Sequence, residues 1–429
     1  MPLLSPSDVK PPQPAPARRP KLLAMEIEVR GHHSMYVRNL ASAWQEFAIP
    51  ADVTFLLTPK FFELHPDVVA FVRERRACGV SIESLTETQS QRMERSRLTR
   101  HFYAWEYFCD YAERHSADHG LLLYFDMFQL PITLGRSAPC PFSAIYFRPT
   151  FHYRHVLRNY SPGWREWLKG VRKRAVLARV LRNRRLERLY CLDPFAADFI
   201  NAKMPSSTSV SALADAYFET ESAPGRVADL RDSLNIEPGR TVCCSLGVMD
   251  RRKGVKELLE ALPLVPPEAA RRICLLLVGH MPPEYAAQVT PVLERVQKET
   301  SVQVILRNTF VDEQEFQDYF DLSDVQLTTY QRHMGSSQML VRSARACKPV
   351  LSSDYGLMGE VVVQHGLGLT CDTSSPAALA AGLERIAESD LTTLVDRDRA
   401  RRFAEQNSRR AHVESLCQMF ESPANGGAP

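Results

Sequence analysis

The sequence predicts an α/β protein built from two doubly wound domains, and three observations predict it. From Thr241 onward short apolar runs alternate with helical patterns, the rhythm of a parallel sheet with crossover helices. The N-terminal half carries further apolar runs that end in polar or charged residues. A chain of 429 residues exceeds what one ordinary core supports, so two domains of comparable size with tails are expected.

Taken in order, the opening stretch MPLLSPSDVKPPQPAPARRP is dense in prolines, which cannot donate backbone hydrogen bonds, and it lacks the apolar core of a secretory signal. Residues 1–20 are therefore expected to be a disordered tail. LLAMEIEV reads as a strand leading into the loop GHHS and a helix to about Phe47, and ADVTFLL reads as the next strand. GLLLYFD and SAIYFRP follow as strands whose polar ends fall where open α/β sheets bind ligands. These define an N-terminal domain over 21–214. Residues 215–239, with APG and EPG turns, are the expected linker.

In the second half TVCCSLG precedes GVKELLEAL, ICLLLVG precedes EYAAQVTPVLERVQ, and VQVIL precedes DEQEFQDYF. VQLTT then leads to a helix near Ser337 to Cys347, and PVLSS with a helix from Pro376 to Glu388 completes a domain over 240–397. The strands are continuously apolar rather than alternating, as expected where helices cover both faces of the sheet. A C-terminal helix is expected over 398–420 and a tail over 421–429.

Composition narrows the classes of function. Lys+Arg 53 against Asp+Glu 50 leaves a formal charge of +3, too balanced for a surface built to hold nucleic acid. No window reaches the roughly 18 uninterrupted apolar residues of a membrane span. The 10 cysteines are scattered, with neither zinc spacing nor a disulfide framework, so a reducing cytoplasmic setting is expected.

The most informative segment is GVMDRRKGVKELLEAL. A strand ends at Gly247 and a helix starts near Gly254, placing Arg251, Arg252 and Lys253 at a strand's carboxyl end. Cations there, with unpaired N–H groups and the positive end of the helix dipole, suit a diphosphate. The alternative is a solvated basic loop. Further on, Gly335, Ser336 and Ser337 precede a helix and offer an uncrowded backbone, hydroxyls and N–H groups for a phosphate, or simply an N-cap.

The order of RKG with a LLEAL helix, LLLVG, the DEQEFQDYF helix, SDV, GSS, KPV, a Gly-rich turn and HGLG resembles the C-terminal half of GT-B glycosyltransferases of the group 1, glycogen-synthase-like class. The resemblance covers about Thr241 to Glu388. It implies two facing Rossmann-like domains with a cleft between them, and transfer of a sugar from a nucleotide-sugar donor to an acceptor hydroxyl with retained configuration. It also implies neither cofactor nor metal.

By the same resemblance Lys253 holds the donor diphosphate, Glu360 matches the glutamate of a turn in which Gly356 and Gly359 supply flexible backbone, and the GHH loop faces the cleft. His32 and His33 are thus candidates for acid–base or positioning work, and Asp126 for a place near the donor sugar. Arg148 and His152, after SAIYF, could reach the same cleft. Each of these also has a plain structural reading as a cap or loop hydrogen-bonding residue. One departure stands out: where the family has paired glutamates, this chain has Met334 and Arg342, neither of which accepts hydrogen bonds as a carboxylate does.

Finally, WREWLKGVRKRAVLARVLRNRRLERLY holds ten Lys or Arg, with Trp164, Trp167, Leu168, Val171 and Ala175 at helical spacing. A basic amphipathic helix over 164–188 is expected, its apolar stripe facing the core or, alternatively, an anionic lipid surface at the inner face of the membrane. The expected partners are a nucleotide sugar and an acceptor of unspecified kind, without nucleic acid. The alternatives from other classes are a non-catalytic nucleotide- or glycan-binding protein and a sugar-nucleotide epimerase or hydrolase.

Overall fold

The computed structural model describes residues 18–29, 33–96, 99–157, 163–215 and 222–420. His32, residues 1–17 of the expected N-terminal tail and the tail 421–429 therefore lie outside the described residues, whereas Arg18 is paired with Asp118 and Arg19 donates to the Ile49 carbonyl.

The chain divides into two compact units. One runs through Leu123 and takes in Arg136–Phe142. Its strands are β1 (Lys21–Met25), β2 (Asp52–Leu57), β3 (Val80–Ser84) and β4 (His119–Leu122), with β1 parallel to both β2 and β4. The helix His33–Glu46 follows β1, and Tyr36, Val37, Leu40 and Trp44 on its inner face are buried.

The other unit comprises Tyr124–Gly135 and the chain from Ser143 onward. It carries all but the first residue of β5 (Phe142–Tyr146), with β6 (Leu186–Cys191) and β7 (Ser209–Ala212). It also carries a complete second sheet of β8 (Thr241–Leu246), β9 (Ile273–Val278), β10 (Gln303–Arg307), β11 (Val325–Thr328), β12 (Val350–Ser353) and β13 (Gly368–Cys371). The two sheets have the orders β3-β2-β1-β4-β5-β6-β7 and β10-β9-β8-β11-β12-β13, so each grows outward in both directions from its first strand, the doubly wound pattern.

Sequence patterning explains the second sheet. Its central strands β9, β11 and β12 are buried at every position, whereas the edge strands β10 and β13 are only partly buried. Each of Leu275, Leu276 and Leu277 in β9 is fully buried, and such a side chain contributes about 1.5–3 kcal/mol. All ten cysteines are free thiols, and burial pushes Cys244 up to about 12, which leaves it a protonated packing residue.

Several expectations are corrected. The span 164–188 is not one helix: the helix Trp164–Val180 ends, and Leu186–Cys191 is β6. Its apolar stripe does not face the core, because Trp164, Trp167, Leu168 and Val171 are exposed while Leu177 and Val180 are buried. The expected linker includes the helix Arg226–Ser233, held to the helix Glu313–Leu322 by Arg226 Nε donating to Asp318 at 2.7 Å. The C-terminal helix is two, Arg397–Gln406 and Arg409–Cys417. The Gly-rich stretch DYGLMGE is not a flexible turn but the start of the helix Gly356–His365.

Candidate functional site

In the second sheet β8 is the first strand and lies between β9 and β11, so strand order reverses between β8 and β11. The carboxyl ends at such a reversal are where doubly wound sheets leave a crevice for ligand. The residues following these two strands, all within one unit, build the site.

After β8 the chain turns at Gly247 and runs through a short 3-10 turn, Arg251–Lys253, into the helix Val255–Ala261. Asp250 caps the turn, its Oδ1 accepting from the Arg252 amide at 3.0 Å. Gly254 joins turn to helix at φ +69°, and a Cβ there would sit 2.4 Å from the Thr329 carbonyl oxygen. Only glycine satisfies both the left-handed backbone and the close approach. The consequence is that Lys253 points inward and Arg251 outward.

Lys253 is 4% exposed. Its Nζ donates to the Leu246 carbonyl at 2.7 Å and to the Tyr330 hydroxyl at 2.9 Å, and lies 4.6 Å from the Tyr330 ring centroid. Among the described residues no carboxylate comes within ion-pair distance of it. A buried ammonium is costly unless an opposite charge meets it, which makes this cluster a candidate anion site.

Tyr330 and His333, which the sequence reading did not single out, belong to the same cluster. The Tyr330 hydroxyl also lies 3.2 Å from Ser337 Oγ, and the Arg252 guanidinium lies 4.9 Å from its ring centroid. Burial alone would raise the Tyr330 phenol, but the Lys253 charge and hydrogen bond, Ser337 and Arg252 outweigh it and hold it below its ordinary value. Burial, reinforced by Arg252, Arg148 and Lys253, lowers His333 to about 4, so its imidazole is neutral at physiological pH. Both residues were visible in TYQRHMGSS, but a fold was needed to bring the segment onto Lys253.

The remaining candidates are placed as follows. Ser337 is the N-cap of the helix Gln338–Arg345, Oγ accepting from the Met339 amide, and it touches the Lys253 cluster through Tyr330. The Gly335 backbone is not uncrowded: a Cβ there would meet His333 Nε2 at 2.9 Å. Ser336 follows it at the same turn. Gly356, at φ +73°, starts its helix where a Cβ would lie 2.9 Å from the His333 carbonyl oxygen, so this helix N-terminus also reaches the His333 segment. Glu360 lies one turn further along the same helix. Arg251 is exposed and donates to Gln288 at 2.8 Å.

Arg342 is 4% exposed and is turned to the neighbouring helix, donating to Gln317 at 3.0 Å and Glu313 at 2.5 Å. Met334 gives its carbonyl to the Tyr153 hydroxyl. Asp126 does not end a strand but sits in the 3-10 turn Phe125–Met127. Its oxygens accept from the Phe147 and Arg148 amides at 2.9 and 3.0 Å, and burial raises its carboxyl against those amides and the charges of Lys173 and Arg148. His152 is fully buried with Nε2 3.0 Å from Asp193, which itself caps the helix Pro194–Lys203.

In the other unit His33 opens the helix after β1, with Nδ1 2.8 Å from the buried Glu26 carboxylate. That unit also holds a cavity of about 500 Å³ lined by Arg19, Asp52, Arg76 and His115. It opens at the amino ends of β1–β3, away from the carboxyl ends where such sheets bind ligands.

Residues 227–410 match the family model described as glycosyl transferases group 1. No curated protein matches the chain in sequence. Among solved structures, HepE of Anabaena in complex with UDP and glucose superposes at TM-score 0.64 with 15% identity, covering 94% of this chain and 100% of that one. Sucrose-phosphate synthase from Thermosynechococcus elongatus gives 0.63 at 16% identity, 94% and 98% covered. WaaG, a glycosyltransferase involved in lipopolysaccharide biosynthesis, gives 0.60 at 14% identity, 94% and 100% covered. The fold is GT-B.

Proposed function

We propose that this chain, which has the GT-B fold and whose residues 227–410 match the family model of group 1 glycosyl transferases, is a glycosyltransferase that takes its nucleotide-sugar donor at the β8–β11 reversal and transfers the sugar with retained configuration and without a metal. The observation that carries the reading is the buried Lys253 ammonium, which has hydrogen-bond acceptors around it but no carboxylate among the described residues. A donor diphosphate supplies the missing charge. Arg252 adds a second cation at the same ring, and Ser336, Ser337 and the helix amides behind them supply N–H donors. HepE was solved with UDP and with UDP-glucose, which supports a uridine nucleotide as the first donor to try.

Charge grows on the diphosphate as the glycosidic bond to phosphate breaks, and donors already aimed at it need no reorganisation. Each such donor contributes about 3–4 kcal/mol to transition-state stabilisation by analogy with oxyanion sites. Arg251, more exposed, would reach the outer phosphate oxygens, and Glu360 would bind the sugar or ribose hydroxyls. With Arg342 committed to Glu313 and Gln317, recognition of the sugar end falls to other groups, Glu360 first. The acceptor is placed on the unit that holds His33, whose ring Glu26 would orient, with His32 beside it in sequence. Asp126 is assigned to ordering the loop after β5.

The test is a calorimetric panel of nucleotide sugars followed by product analysis on the one that binds. Binding with glycosyl transfer to an added acceptor is expected. Absence of binding to every donor would end the reading, and release of an epimerised nucleotide sugar would replace it with the epimerase alternative.

A further inference from the structure

The Trp164–Val180 helix has apolar lines on opposite sides. Gly170, Leu177 and Val180 face inward, Gly170 lying against the Phe151 backbone and the other two fully buried. Trp164, Trp167, Leu168 and Val171 fall at i, i+3, i+4 and i+7 on the far side, with exposures of 71%, 49%, 54% and 47%. The helix Gln129–Leu134 packs beside it and adds Leu130 and Leu134, both exposed. Six of the eleven large hydrophobic side chains exposed among the described residues thus lie on this one helix pair, a concentration that marks an interaction surface.

The charge around the patch selects the partner. Trp164–Val180 carries six Lys or Arg, Arg165, Lys169, Arg172, Lys173, Arg174 and Arg179, against the single acid Glu166. All but Lys173 are exposed. Lys173 points inward, its Nζ 3.2 Å from Thr150 Oγ1. A second copy meeting this face about a two-fold axis would set like charges against each other. An anionic bilayer instead places tryptophans at the headgroup level, aliphatic side chains below them and cations on the lipid phosphates. We propose that this helix pair docks the enzyme on an anionic membrane surface. No helix of the described residues is long and apolar enough to cross a membrane, so the contact is peripheral. The proposal stands apart from the donor site.

The full chain is sedimented with vesicles of phosphatidylcholine alone and with vesicles that also contain phosphatidylglycerol, at low and high salt. Partitioning at least about tenfold stronger on the anionic vesicles, weakened by salt, is expected. Trp164→Ser with Trp167→Ser is expected to lower it about tenfold or more without moving the thermal midpoint, since both rings are exposed. Tryptophan emission should shift to the blue on anionic vesicles in the wild type but not in the double variant, whose remaining Trp44 and Trp105 are buried. Equal sedimentation with both vesicle types would overturn the proposal, as would undiminished binding of the variant. So would a homodimer that the variant dissociates while neither protein binds lipid.

Discussion

Lys253 shows how one residue acquires its chemistry from position. In sequence it is one of three consecutive cations; in the fold Gly254 turns it inward and leaves Arg251 in solvent. Its partner Tyr330 is expected to be replaceable at modest cost: Tyr330→Phe should lose about 1 kcal/mol in urea unfolding, one buried hydrogen-bonding group. His333 ties the cluster to pH. Its imidazole falls from an ordinary 6.5 to about 4 when folded, so between those values the unfolded chain binds the proton and the folded one does not. Stability from this group is complete above about pH 6.5 and is lost as pH falls toward 4, by on the order of 2–3 kcal/mol. His365 and His412 shift in the same direction; His333→Gln should therefore flatten, not abolish, the acid limb of a stability–pH profile, and an unchanged limb would contradict the placement.

Elements were legible where one physical cause dominated. The apolar runs of β8, β9, β11 and β12 and the helix Pro376–Glu388, with Ser375 as its N-cap, read correctly because burial and capping are local signals. DYGLMGE was misread because glycines suggest a turn, whereas Gly356 serves as the left-handed entry to a helix whose next residues are apolar. The basic stretch was read as one helix because its cations continue past Val180, although LERLYC has strand composition. Its outward stripe could not have been read, since helical spacing defines a face but not what lies against it. Arg342 illustrates the same limit: only the fold reveals the clamp to Glu313 and Gln317. Arg342→Met is expected to lower the urea midpoint, costing about 1–2 kcal/mol, less than a fully buried pair because Glu313 is 43% exposed.

For the whole molecule, the repeated doubly wound order places the carboxyl ends of first strands at the centre of each sheet, and residues of the proposed sites follow both: Glu26 and His33 after β1, Lys253 after β8. Glu26 was not singled out in the sequence, but His33 and Lys253 were readable from the GHH and RKG motifs that follow these strands. The convergence of Lys253, Tyr330, His333 and Ser337 was not, because segments far apart in sequence meet only through sheet order. In the proposed mechanism cations and helix N-termini take the diphosphate charge, so transfer is expected to proceed undiminished in excess EDTA, and loss of activity restored by a divalent metal would refute that proposal.

The most direct test is calorimetric titration of UDP, GDP and ADP into the wild type, Lys253→Met and Arg342→Met. The tightest diphosphate is expected to bind Lys253→Met about 30-fold more weakly, about 2 kcal/mol for a charge-assisted contact, while Arg342→Met binds as the wild type does. Unchanged affinity in a folded Lys253→Met protein would contradict the site.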